Sequence, residues 1–229
     1  MKIIGRIYTD FPEKFGIPRQ SGLIPELKGR IVFEKKYRNP EAFRGLEDFS
    51  YIWVIWQFSE AIREEWSPTV KPPRLGGNKR MGVFATRSPF RPNPIGLSSL
   101  RLEKIEMDKK NGPVLYVSGV DMVNGTPIYD IKPYLPYTDC HKDATNGFAG
   151  GIKDYELEVD FPEELLEKVP VEHRKNIVSI LCQDPRPGYI DDNREFGITF
   201  ADNNIRFVVN DKVIRVTKVE AKGEGYYGQ

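Results

Sequence analysis

SYIWVIWQF, residues 50–58, is the most apolar run in the chain. Ile52, Ile55, Val54, Trp53 and Trp56 are β-branched or aromatic, the types that fit a pleated surface. Nine residues suit a strand better than a helix, so this stretch is expected to form a buried strand. Working outward, residues 3–9 and 30–35 read as further strands, the second with Ile31 and Phe33 alternating with polar neighbours. Between them and the central run, Asn39-Pro40 marks a short helix through Glu41, Ala42 and Phe43 that stops near Gly45. Downstream, Leu100, Leu102 and Ile105 alternate towards Asn111-Gly112, a hairpin turn signal. Residues 114–120 form the returning strand and residues 123–131 another. Many short strands with turns between them point to a barrel or sandwich.

The composition shifts after Tyr137. Residues 138–153 are small and polar and read as a linker between a first domain, 1–137, and a second, 154–229. The second is expected to be a small α+β unit. It has a strand over 155–161, a helix over 171–182, and hairpin turns at Asn203-Asn204 and Asn210-Asp211.

The 229 residues carry 34 Lys and Arg against 33 Asp and Glu, a net charge of +1. Any affinity for nucleic acid must therefore be local. Cys140 and Cys182 stand far apart, without disulfide or zinc spacing. His141 and His173 lack acidic partners at ligand spacing, so no metal site is expected. The first residues show no secretory signal, and no run approaches the roughly 18 apolar residues of a membrane helix. A reducing cytoplasm is the expected setting. Residues 223–228 spell GxGxxG, but no helix follows, so no dinucleotide fingerprint is read there.

The chemistry concentrates in KPPRLGGNKRMGVFATRSPFR, residues 71–91. Lys71, Arg74, Lys79, Arg80, Arg87 and Arg91 sit here with no acidic residue. Glycines permit close backbone approach to a ligand, and prolines stiffen the loop. Asn93 follows between two prolines, with a side chain that both donates and accepts. In residues 121–134, Asp130 and Lys132 share one strand face by period two, the spacing of a surface ion pair or a site. Residues 183–189, QDPRPGY, form a polar loop after the second-domain helix.

Long strings carry a resemblance. FGIPRQ (15–20), PPRLGGN (72–78), GVFATRS (82–88), FRPNPIG (90–96), GTP (125–127), DIKPYLP (130–136) and QDPRP (183–187) resemble the TsaA-like family, in order and over nearly the whole chain. The resemblance implies a mainly β fold: a single-sheet antiparallel β-barrel followed by a small α+β C-terminal domain, not a Rossmann-like methyltransferase. It implies an S-adenosylmethionine-dependent enzyme, working as a homodimer. The substrate implied is tRNA, methylated at N6 of threonylcarbamoyladenosine beside the anticodon.

Carried over by position, the cofactor would lie against Gln20, Ser21, Gly22, Ser59, Glu60, Arg87, Leu97, Asp121, Met122, Val123 and Asn124. Ser59 departs from the histidine often found there. Arg74, Arg80 and Arg91 would meet phosphates or the threonyl carboxylate, for which a planar guanidinium is suited. Asn93, Lys132, Tyr134, Asp184, Arg186 and Tyr189 complete the expected substrate set, with Phe90, Tyr134 and Tyr189 able to stack on splayed bases. The acceptor nitrogen must lose a proton, and Asp121 or Asp130 would take it. Two other readings share these residues: an RNA-binding barrel without catalysis, and a methyltransferase acting on a small molecule.

Overall fold

The computed structural model describes residues 1–72, 75, 79–152, 155–186 and 194–221. Six strands close into an antiparallel barrel, in the order β1-β2-β7-β6-β3-β8. They are β1 (Gly5–Thr9), β2 (Lys28–Phe33), β3 (Tyr51–Gln57), β6 (Ile95–Asp108), β7 (Gly112–Ser118) and β8 (Thr126–Pro133). A ribbon of β4 (Thr69–Val70) and β5 (Met81–Gly82) interrupts the series between β3 and β6. A short helix α1 (Pro136–Asp139) follows the barrel. The second sheet runs β10-β11-β12-β9, with β9 (Glu158–Asp160), β10 (Phe196–Phe200), β11 (Asn203–Asn210) and β12 (Val213–Ala221). Helices α2 (Glu163–Leu166) and α3 (Val171–Cys182) lie between β9 and β10 in sequence. β9 joins β12 in parallel and the other pairs are antiparallel.

β3 forms where the apolar run predicts a strand, but only one of its faces is buried. Ile52, Val54 and Trp56 fill the barrel, while Tyr51 is exposed and Trp53 and Ile55 are partly covered. An unbroken apolar run reads as a strand covered on both sides; here the second face is open in the single chain. The 3-10 helix Pro40–Phe43 has the expected cap, with Asn39 Oδ1 accepting from Glu41 N at 3.1 Å. α3 spans the predicted residues. The predicted turn at Asn203-Asn204 is displaced: these residues open β11, and the bend lies at Ala201, with φ 50°. Asparagine is the usual turn signal, whereas alanine in the left-handed region is rare and gives none.

The core runs on from barrel to second sheet through residues 10–27. Phe11 meets Phe200 edge to face, with ring centroids 5.1 Å apart. Ala201 N donates to Asp10 O at 2.7 Å. Gly16 has φ 92°, and a Cβ there would come within 3.2 Å of Ile198. Arg19 Nη2 donates to Arg186 O at 2.8 Å and Asp184 O at 3.3 Å. Phe11 is fully buried. Phe11→Ala is expected to destabilise the protein by about 3–5 kcal/mol, the usual cost of deleting a core aromatic, read from the denaturant midpoint.

Candidate active site

β3 leaves the barrel beside the entry of β6, where Gln57 pairs with Ile95 and Trp56 with Gly96. A Cβ on Gly96 would lie 2.2–2.5 Å from the Trp56 indole, so the glycine makes room for the ring. So seated, Trp56 Nε1 donates to Ser98 Oγ at 2.9 Å, and Ser98 Oγ donates to Asp121 Oδ1 at 2.7 Å. The carboxylate is thus fixed by a hydroxyl that is itself fixed by an indole. Asp121 lies in the turn after β7 and is half-buried. Burial pushes its carboxyl up from the usual 3.8 to about 6, although the Ser98 hydroxyl, the Ser21 backbone N–H and the Arg87 charge all oppose the shift.

The loop carrying Gln20, Ser21 and Gly22 lies against this turn. Gly22 N donates to Gly119 O at 2.9 Å, and a Cβ on Gly119 would come within 3.2 Å of the Gly22 backbone. Arg87 Nη1 donates to Gln20 Oε1. The turn below is braced from β1: Thr9 N donates to Asn124 Oδ1 at 3.2 Å, and Thr9 Oγ1 to Met122 O at 3.0 Å. Met122 is buried; Val123 is half-buried and its carbonyl accepts from Thr126 Oγ1 at 2.7 Å. Ser59 and Glu60 are exposed in a 3-10 helix directly after β3, and the strand pairing brings them to the same barrel end. Leu97 points outward opposite Ile55 and is 56% exposed. The expected cofactor segments therefore share one end of the barrel, with an acid, a cation, an apolar surface and glycine-bordered backbone.

The expected substrate residues divide. Arg80 is exposed and donates from Nε to Thr69 Oγ1 at 2.7 Å. Asn93 is exposed beside the strand entry. Arg91 Nη1 points back into its own loop, 2.8 Å from Thr86 O and 3.4 Å from Val83 O and Ser88 O, which braces the segment bearing Arg87. Tyr134 packs on Trp53, centroids 5.4 Å apart. Asp130 and Lys132 form the surface pair that their spacing allows, at 3.2 Å. Asp184 and Arg186 are 5% and 8% exposed and bind each other in bidentate fashion, at 2.9 and 3.1 Å. Burial alone would raise the Asp184 carboxyl, but the Arg186 hydrogen bonds and charge hold it low. This pair, with its backbone on Arg19, positions the loop leading to Gln20 from the second domain. Arg74 and Tyr189 lie outside the described residues. Among the described residues, no three His, Cys, Asp or Glu side chains gather to hold a metal ion.

Sequence reasoning missed Trp56, Gly96 and Ser98. A glycine inside an otherwise apolar strand start was the available signal, since it marks close approach by a neighbour.

The N-terminal domain of tRNA-methyltransferase O matches residues 6–140, and its C-terminal domain matches residues 154–222. The chain belongs to the tRNA-methyltransferase O family. It is 41% identical to the tRNA (adenine(37)-N6)-methyltransferase of Escherichia coli, over 96% of this chain and 97% of that protein. It is 38% identical to a putative S-adenosylmethionine-dependent methyltransferase of Pseudomonas aeruginosa, over 89% and 90%. A crystal structure of TrmO from P. aeruginosa superposes with a TM-score of 0.76 at 34% identity, covering 96% of this chain and 95% of that one. Within this family fold, the Gly96–Trp56–Ser98 contacts account for how Asp121 is held.

The shift of Asp121 has a definite sign. An unfolded aspartate releases its proton near 3.8 and the folded one near 6. Between those values the folded state holds more protons, so this residue's contribution to stability falls as pH rises through the window. If the ionised form acts, turnover should rise with pH about a midpoint near 6. Ser98→Ala removes a hydrogen bond that favours the carboxylate and should move the midpoint upward, measured as a pH–rate profile.

Proposed function

We propose that this chain transfers the methyl group of S-adenosylmethionine to N6 of adenosine 37 of tRNA, with a threonylcarbamoyl group on that nitrogen. The observation that carries the reading is the gathering of Gln20–Gly22, Arg87, Leu97 and Asp121 at one barrel end. The near-full-length likeness to the E. coli enzyme agrees with it.

The residues fit the cofactor. Leu97 offers apolar surface to the uncharged parts of the molecule. Arg87 suits its carboxylate, and Asp121 and the open backbone at Gly22 suit its hydroxyl and amino groups. When bound, S-adenosylmethionine supplies an electrophilic methyl on a sulfonium. The protein's part is alignment, since holding partners at attack distance removes roughly 7–11 kcal/mol of barrier.

Asp121 is favoured over Asp130 as the proton acceptor. It is half-buried and fixed by Ser98, and burial pushes its carboxyl up only to about 6, which leaves it mostly ionised at neutral pH. Asp130 faces solvent beside Lys132 on the barrel exterior. The basic segment 71–91 faces the polyanionic substrate: Lys71, Lys79, Arg80 and Arg87 are exposed. That substrate accords with a cytoplasmic setting, and among the described residues no helix is long and apolar enough to cross a membrane.

The enzyme acts as a homodimer through the open face of β3 and β6. Tyr51, Trp53, Ile55 and Leu97 make an apolar strip there, larger than a lone exposed side chain. Ile55→Arg is expected to halve the mass in solution, measured by light scattering, and to reduce turnover because Leu97 adjoins the same strip.

With labelled S-adenosylmethionine, label should enter tRNA bearing the threonylcarbamoyl group and not the unmodified transcript. Asp121→Asn should lower the rate by about 10²–10⁴-fold, the usual share of a positioned base. Asp130→Asn should leave it nearly unchanged. Label in both tRNAs would remove the requirement for the threonylcarbamoyl group; label in neither would remove the tRNA reading.

A further inference from the structure

The ribbon β4–β5 projects between β3 and β6, and its register has a consequence at its base. Thr69 pairs with Gly82, Val70 with Met81, and Val83 N donates to Pro68 O at 2.9 Å. Continued outward, this pairing places Trp66, just before the ribbon, against Phe84, just after it. Their ring centroids are 6.0 Å apart at 34°. Val83, between the ribbon and Phe84, is buried and anchors the base. Trp66 is nevertheless 50% exposed and Phe84 74% exposed. Beside them, the Arg63 guanidinium lies 3.8 Å above the Phe90 ring. Arg63, Trp66, Phe90 and Arg91 contribute to the wall of a cleft of about 410 Å³. That size falls in the roughly 300–1,000 Å³ range of sites that hold one small ligand or residue.

A large aromatic in water is rarely retained for stability, since burial would favour the fold by more. Two open aromatic faces and an arginine already stacked on a third are the features that bind bases of single-stranded nucleic acid. The charge agrees. Residues 61–91 carry seven Lys and Arg against two Glu, although the whole chain is near neutral. The cleft also starts at Ala61, next to Ser59 and Glu60 at the candidate cofactor end.

We propose that Trp66 and Phe84, with the Arg63–Phe90 pair, form a stacking platform for an unpaired nucleotide of the RNA substrate flanking the methylated base. This rests on the tRNA reading above and adds the surface that grips the loop. The modified base goes to the Asp121 end, and a splayed neighbour is held on the aromatic rings, so the loop is opened and fixed together. Stacking on such rings accepts any base, so the platform selects for an unpaired nucleotide rather than for a sequence.

The test measures binding of an anticodon stem-loop RNA, and methyl transfer into full tRNA, for the whole chain and for Trp66→Ala, Phe84→Ala and Trp66→Phe. Each alanine variant should weaken RNA binding by about 5- to 150-fold, the range for losing one base–aromatic stack. S-adenosylmethionine affinity should be kept. Trp66→Phe should recover most of the binding. Unchanged RNA affinity in the alanine variants, with the parent protein methylating tRNA normally, would overturn the platform and leave the enzyme reading intact. Conversion of Trp66→Ala to a smaller species in solution would also overturn it, by assigning the patch to contact between copies. RNA binding that depends on Trp66 in a protein that methylates no tRNA would support the platform and overturn the enzyme reading instead.

Discussion

Trp56 occupies the end of the barrel, and an indole fits there because Gly96, its partner across the strands, has no side chain. Most of what is chemical in the molecule descends from that fit. The ring cannot turn away without losing its cavity, so its N–H stays on Ser98, and the Ser98 hydroxyl stays on Asp121. A buried hydroxyl pinned as acceptor from one side has a single donor hydrogen left, and here it is directed at the carboxylate. The geometry of the acid is therefore set by packing in the barrel wall, several bonds away from any ligand. Burial also gives the carboxyl its high affinity for protons, which is a property of the same wall.

How much of this could be read from residues alone depends on whether the signal was local. The aromatic and β-branched run around β3, the Asn39 cap and α3 were legible because propensity, capping and flanking prolines all agree with the final structure. The bend at Ala201 was not, because its left-handed backbone is imposed by neighbours, while the nearby asparagines advertise a turn they do not make. Charge alone did not show where these side chains go. Arg91, Asp184 and Arg186 read as ligands for an anion or a base, and in the fold Arg91 donates to loop carbonyls while Asp184 accepts from Arg186 and from the Tyr155 hydroxyl. A guanidinium satisfies five donors wherever acceptors converge, and sequence does not reveal where that is. The expected cofactor segments came from family likeness, and only the strand register explains their convergence.

The open side of β3 and the exposed rings at the ribbon base are two different departures from an apolar interior. The first is the outward face of a barrel strand, with Ile55 in register with Leu97 on β6. The second is a pair of rings on a narrow two-stranded projection within a segment rich in basic side chains. Composition separates them: the apolar strip on β3 and β6 suits another protein surface, and the cationic, ring-lined cleft suits a polyanion with planar groups.

Arg19 reaches across to the backbone of the Asp184–Arg186 loop one residue before Gln20, and Phe11 and Gly16 are packed against β10. The second domain thus serves as the socket for a segment of the first. The two halves of this chain are therefore not independent cassettes. Without the C-terminal unit, residues 10–19 would need another surface to rest on before the barrel could present Gln20 to Gly22 in the same way.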